Sequence, residues 1–175
     1  MFSLNEKVVY PGHGVAKINR IVEKRVGGQR TSFFELKFLH SEMTILVPTE
    51  NLESVGIRKV SSNETIEKAF KILAEPARLM PNMAYMNNWS KRNKEYQCKL
   101  RTGDLFEICA IYRDLNFLST QKDLSFGEKG LLHKIESLLA EEISIVSSIK
   151  EDQAVAQLRA QCCIPKHSTA SAPLG

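Results

Sequence analysis

The sequence predicts an α+β chain in two parts, a small, strongly bent β-sheet module followed by an all-helical module. Three observations carry this reading. In residues 1–60, short β-branched and aromatic runs recur between tight-turn residues. From residue 61 onward the apolar residues fall three and four apart, the spacing of one helix face. The 175 residues are 43% hydrophobic and 25% charged, which suits a folded core, and no run is long and apolar enough to span a membrane. The division is expected at 1–60 for the sheet and 61–161 for the helices, with 162–175 a disordered tail whose end is rich in Ser, Ala and Pro.

Lys7–Tyr10 reads as a first strand, stopped by the turn residues Pro11-Gly12-His13-Gly14. In Val15–Val26 a period of two would set Ile18, Arg20, Val22, Lys24 and Val26 on one face. Gly27-Gly28 signals a hairpin into the aromatic-rich Thr31–Leu39. Met43–Val47, ended by Pro48, and Val55–Val60 supply two further short strands. So few strands rarely close into a barrel, so exposed sheet edges are expected. In the second part, Ser61-Ser62-Asn63-Glu64 offers a capping box, with Ile66, Phe70 and Leu73 recurring behind it until Glu75-Pro76. Pro81 marks another break. Asn87 or Asn88 caps a helix to about Arg101, with Gly103 just past its end. Asp104–Glu107 opens a helix through Leu118, and Ser125–Glu128 opens a long one striped by Leu131, Ile135, Leu138, Leu139 and Ile143. Helical patterning continues to about Arg159.

Several function classes are set aside by what is absent. Cys98, Cys109, Cys162 and Cys163 make no CxxC pair, and Cys98 and Cys109 read as small core residues. The four histidines have no ligand spacing, so no metal site is expected. No phosphate-binding glycine loop, nucleophile elbow or paired carboxylate emerges, so neither catalysis nor a cofactor or small-molecule substrate is expected. The N-terminus lacks the basic start and apolar stretch of a secretory signal, which predicts a cytosolic protein.

Charge is the more informative signal. The net +4 is concentrated: residues 82–102 carry Lys91, Arg92, Lys94, Lys99 and Arg101 against Glu95 alone. This block also holds Trp89, the sole tryptophan, at the first turn of the predicted helix. A helix start offers free N–H groups and the positive dipole end to a phosphate, and a large ring beside it can wedge into a distorted minor groove. Lys91, Arg92 and Lys94 cannot share one helical face, but together they can flank a docked backbone. The competing reading makes Trp89 a core residue and the cations a solvated face; pattern alone leaves the two near balance. In the sheet, Lys17, Arg20, Lys24, Arg25 and Arg30 cluster around the second strand and its hairpin. Charge protection of an edge strand is the commoner explanation; pairing with another protein's sheet edge is the alternative.

The stretches VVYPGHGVAKI, VPTENLESVGIR, NNWSKRNKEY and LSFGEKGLL resemble, in order and with plausible spacing, the CarD/CdnL family of bacterial transcription regulators. The resemblance spans roughly residues 1–145; no role is assigned to the stretch after Ile145. It implies a Tudor-like (SH3-like) N-terminal module similar to the polymerase-interacting domain of transcription-repair coupling factors. That module would dock on the protrusion (β1 lobe) of the RNA polymerase β subunit by strand pairing. The helical module would contact promoter DNA at the upstream edge of the bubble, with Trp89 as the wedge and Lys91, Arg92 and Lys94 on the backbone. Family members often carry a basic residue before the VP dipeptide, where this chain has Leu46; the charge part of docking would then shift toward Lys24 and Arg25. The resemblance thus implies a monomeric, non-enzymatic regulator that stabilises the open complex; the alternative is a polymerase-bound adaptor that hardly touches DNA.

Overall fold

The structure, a computed structural model, describes residues 1–78 and 88–162. The expected break at Pro81, the alternative cap Asn87 and the tail beyond Cys162 lie outside those residues. Five antiparallel strands, β1 (Lys7–Tyr10), β2 (Gly14–Val26), β3 (Gln29–Phe38), β4 (Thr44–Pro48) and β5 (Arg58–Lys59), form one sheet in the order β4-β3-β2-β1-β5. The hairpin signal at Gly27-Gly28 is met by a two-residue turn closed by the pair Val26↔Gln29. The edges are β4 and the two-residue β5, shorter than the expected Val55–Val60.

One expectation fails inside β2. Ile18 pairs with Leu36 while Arg20 pairs with Glu35, so a bulge at Asn19 throws Ile18 and Arg20 onto opposite faces. Ile18 therefore joins Val8, Ala16, Leu36, Phe38 and Val47 in the sheet's own core, and Arg20 meets Glu35 outside at 2.9 Å.

Five helices follow among the described residues: α1 (Asn63–Ala74), α2 (Trp89–Thr102), α3 (Leu105–Gln121), α4 (Phe126–Ser147) and α5 (Glu151–Gln161). None is long and apolar enough to cross a membrane. The long helical pattern divides at Ser148, a left-handed cap at φ 53°, so that α5 can pack back on α4. A second core forms here around Leu115, Ile135, Leu139, Ala154 and Leu158. Cys109 lies in this core, where burial pushes its thiol up to about 12, whereas Cys98 is exposed, contrary to its core assignment. The reason is helical phase: Arg92, Tyr96 and Leu100 form the buried stripe of α2, and Cys98 falls opposite.

The two modules meet along α4. Glu142 is 3% exposed and accepts from both Arg58 Nη groups, Nη1 to Oε1 at 2.7 Å and Nη2 to Oε2 at 2.8 Å. It also accepts from the Ser61 amide and hydroxyl, and Arg58 Nε donates to the Gly103 carbonyl at 2.7 Å. Ser61 is thus committed to this seam, and the cap of α1 is Ser62, bonded to the Thr65 amide rather than boxed with Glu64. Burial disfavours the Glu142 carboxylate, but the Arg58 guanidinium and the Ser61 donors outweigh it and hold its pKa below the ordinary carboxylate value. Next to it, Glu141 accepts the Val15 amide at 3.1 Å, and burial raises its pKa. Gly14 makes this approach possible: at φ +105°, a Cβ there would stand 2.3 Å from Glu141 Oε2.

Candidate functional site

The basic block begins where α2 begins. Asn88 caps the helix by accepting the Lys91 amide at 3.1 Å, so Trp89 is its first residue. The indole is half-buried, neither sealed in the bundle nor free of it. The Arg92 guanidinium carbon lies 5.5 Å from the ring centroid, and Tyr96 stands 6.4 Å away, centroid to centroid. The Nε1 edge rests over Gly127 in the first turn of α4; a Cβ at that glycine would stand only 2.9 Å from Nε1.

What fixes the ring is one carboxylate. Glu128, the third residue of α4, completes a capping box with Ser125: its own amide donates to Ser125 Oγ at 3.3 Å while its Oε2 accepts the Ser125 amide at 2.8 Å. Its Oε1 accepts from Arg92 Nη2 and from Lys122 Nζ, the latter at 3.2 Å. Burial opposes ionisation of Glu128, yet the Ser125 amide, Arg92 and Lys122 hold its pKa at about 2. The start of α2, the end of α3 and the start of α4 are thereby tied at one point beneath the indole.

This corrects the expectation for Arg92. It is wholly buried, on the inner stripe of α2, and so is set to hold Trp89 rather than to touch a DNA backbone. Lys91 and Lys94 are exposed and, with Arg101, lie on the outer face at spacings of three and seven residues. The sequence reading missed Phe126. It precedes Gly127, against which the indole lies, and is 95% exposed. The Ser125–Glu128 capping box marks Phe126 as the first residue of a helix, but that position alone does not decide exposure, since Leu105, the first residue of α3, is buried.

In the sheet, Lys24 and Arg25 are exposed on the β2–β3 hairpin, where Arg25 stands directly across from Arg30. Leu46 is half-buried on β4, opposite Glu35. Lys24 and Leu46 share the outer face, but four positions of β2 separate Lys24 from the Arg20–Glu35–Leu46 row, about 13 Å. The structure therefore does not bring them into one contact. β4 pairs only with β3, which leaves its other side open among the described residues.

Comparison with known proteins gives the following. Residues 2–61 match the family described as CarD-like/TRCF RID domain, and residues 68–159 match the family described as CarD, C-terminal domain. YdeB of Bacillus subtilis (strain 168), a protein named as a transcription factor, is 29% identical over 155 residues, covering 87% of this chain and 97% of its own. The solution NMR structure of the 72-residue N-terminal domain of Myxococcus xanthus CarD is 29% identical, covering 34% of this chain and 79% of that one, with a TM-score of 0.30.

Proposed function

Given that the chain belongs to the CarD family, and so is a transcription factor of a kind that interacts with RNA polymerase, we propose that its sheet grips the polymerase while its helical module props open promoter DNA. The observation that carries this reading is the corner at Trp89. A half-exposed indole sits on a buried ion pair, against the glycine that follows an exposed phenylalanine and at the head of an exposed lysine face. A core tryptophan needs none of these neighbours outside. Trp89 and Phe126 supply apolar surface for a partly unstacked step at the upstream edge of the bubble, and Lys91 and Lys94 hold the backbone. The buried Arg92–Glu128 pair keeps the indole in one orientation, so little ordering is left to be done on binding.

The polymerase grip uses the open side of β4, by addition to a strand of the β-subunit protrusion, with Lys24 and Arg25 at the rim. The like-charged pair Arg25↔Arg30 favours an acidic partner there. Leu46 would contribute apolar contact where relatives carry a cation. The protein acts as a monomer and catalyses no reaction. Its effect is a shifted equilibrium, limited by how much better it binds the opened promoter than the closed one. Tethering through the sheet raises the local concentration of the helical module, so weak phosphate contacts suffice.

Trp89→Ala tests the reading. Polymerase binding is expected to be unchanged, while open-complex lifetime on a responsive promoter shortens severalfold. An unchanged lifetime would favour instead an adaptor that sits on polymerase with little DNA contact.

A further inference from the structure

The outer face of the sheet carries a feature that the polymerase grip and the tryptophan corner do not use. Lys7 on β1 stands directly opposite Lys17 on β2, and Lys17 stands directly opposite Lys37 on β3. Directly opposed residues project to the same face, so the three lysines form one row across three adjacent strands, about 10 Å from end to end. None of them has an ion pair among the described residues. One row further along, the same face places Arg20 opposite Glu35 at 2.9 Å, the complementary arrangement that stabilises a sheet. Like charges directly opposed do the reverse, and here they occur twice in succession.

Protection of an exposed edge does not account for the row. In the order β4-β3-β2-β1-β5, Lys17 and Lys37 are paired on both sides and have no free edge to blunt; only Lys7 lies just past the two-residue β5, which pairs with Val8 and Val9. Position gives the row its meaning. On the same face, Val9 lies two residues after Lys7 in β1 and Val15 two residues before Lys17 in β2, and both are covered at the seam beside Leu138 and Leu139 of α4. The lysine row, with Lys7 and Lys37 exposed and Lys17 half-buried, is the next rank beside that seam, so a rod-like polyanion lying along the junction would meet it.

We propose that the Lys7–Lys17–Lys37 row is a second phosphate-binding surface, which holds the backbone of duplex DNA alongside the contacts made by Lys91 and Lys94. This rests on the DNA-binding part of the function proposed above. The chemistry favours nucleic acid over an acidic protein. Lysines are depleted from protein–protein interfaces, which favour arginine, whereas a flexible ammonium neutralises a DNA phosphate as a point charge without needing a fixed geometry. The only arginine in the adjacent row, Arg20, is already engaged by Glu35. Binding here is independent of sequence, fixing where duplex runs past the protein and not which bases it carries.

The test uses the full chain and a fluorescent duplex DNA of arbitrary sequence, titrated over a range of salt concentrations. Each phosphate that a variant no longer neutralises lowers the slope of log K against log salt by about 0.9. The triple variant K7Q/K17Q/K37Q is therefore expected to flatten the slope by about 2–3 and to weaken binding at low salt at least tenfold. It should melt no lower than the parent, because a repulsion has been removed; a lower melting temperature would contradict the like-charge argument. An unchanged slope in the triple variant, with a flattened one in K91Q/K94Q, overturns this inference and leaves the proposed function standing. Unchanged slopes in both variants overturn DNA binding itself. If the triple variant loses polymerase binding while its DNA slope is unaltered, the row faces an acidic protein and the inference is wrong.

Discussion

The two ends of α4 each bury a glutamate against an arginine, and they do different work. At the N-terminal end, Glu128 takes Arg92, Lys122 and the Ser125 amide, all from the helical module, so two cations serve one carboxylate. At the C-terminal end, Glu142 takes Arg58 and Ser61, both from the sheet side of the chain, and among the described residues its neighbour Glu141 has the Val15 amide and His40, at 3.9 Å, to offset its burial. The first end is overdetermined and stays within one module. The second is a joint between modules that must bury two adjacent carboxylates with one guanidinium close by. A charge cluster can thus hold a side chain within one module at one end of a helix and join two modules at the other.

The largest effect should come from the Glu128 end, where the arginine is wholly buried. Glu128→Ala leaves Arg92 buried beside Trp89 without its carboxylate and should cost about 3–5 kcal/mol of stability, measured by chemical denaturation. A cost below about 1 kcal/mol, the level of an exposed pair, would remove the contrast. The pH dependence sharpens it. Because the Glu128 carboxyl drops from the ordinary 4.5 to about 2 on folding, its contribution is present above 4.5 and is lost as the pH falls toward 2. The stability gap between the parent and Glu128→Gln should close over that window.

The joint should respond less. Glu142→Gln keeps an acceptor for Ser61 but meets Arg58 with an amide, costing about 1.5–3 kcal/mol. More tellingly, sheet and helices should then unfold in two resolved transitions where the parent shows one. A single transition in the variant would mean that the modules are held together by something other than this pair. The smallest change in stability is expected for Gly127→Ala. The better helix former gains roughly 0.5–1 kcal/mol, against a Cβ that would stand 2.9 Å from the indole Nε1. Net stability should therefore move little, while the emission of Trp89, the sole tryptophan, shifts and open-complex lifetime falls. Unaltered emission would show that Gly127 does not set the ring's position.

Which parts were legible in the sequence follows from how local their causes are. Capping at Asn88, Asp104 and Ser125 was readable because each motif lies within one helical turn. The sheet was readable as short strands and a hairpin, but the bulge at Asn19 was not, since an asparagine in an alternating run carries no mark of being the extra residue. Trp89 and the cations around it were picked out by composition. That Arg92 faces inward was available in principle, because Arg92, Tyr96 and Leu100 keep the four-residue spacing of a buried stripe. Its partner, Glu128, lies 36 residues on, beyond any local pattern. The same holds for Ser61, which looks like a helix cap until the approach of Glu142 claims it.

One consequence follows from α4 being a single uninterrupted helix. From Glu128 to Glu142 the chain makes nearly four full turns and advances about 21 Å, so both carboxylates leave the rod from almost the same side. The rod therefore acts as a ruler with a fixed phase. Adding one residue between them would swing the indole about 100° around the axis relative to the sheet, whereas adding four would shift it about 6 Å outward with its heading nearly restored.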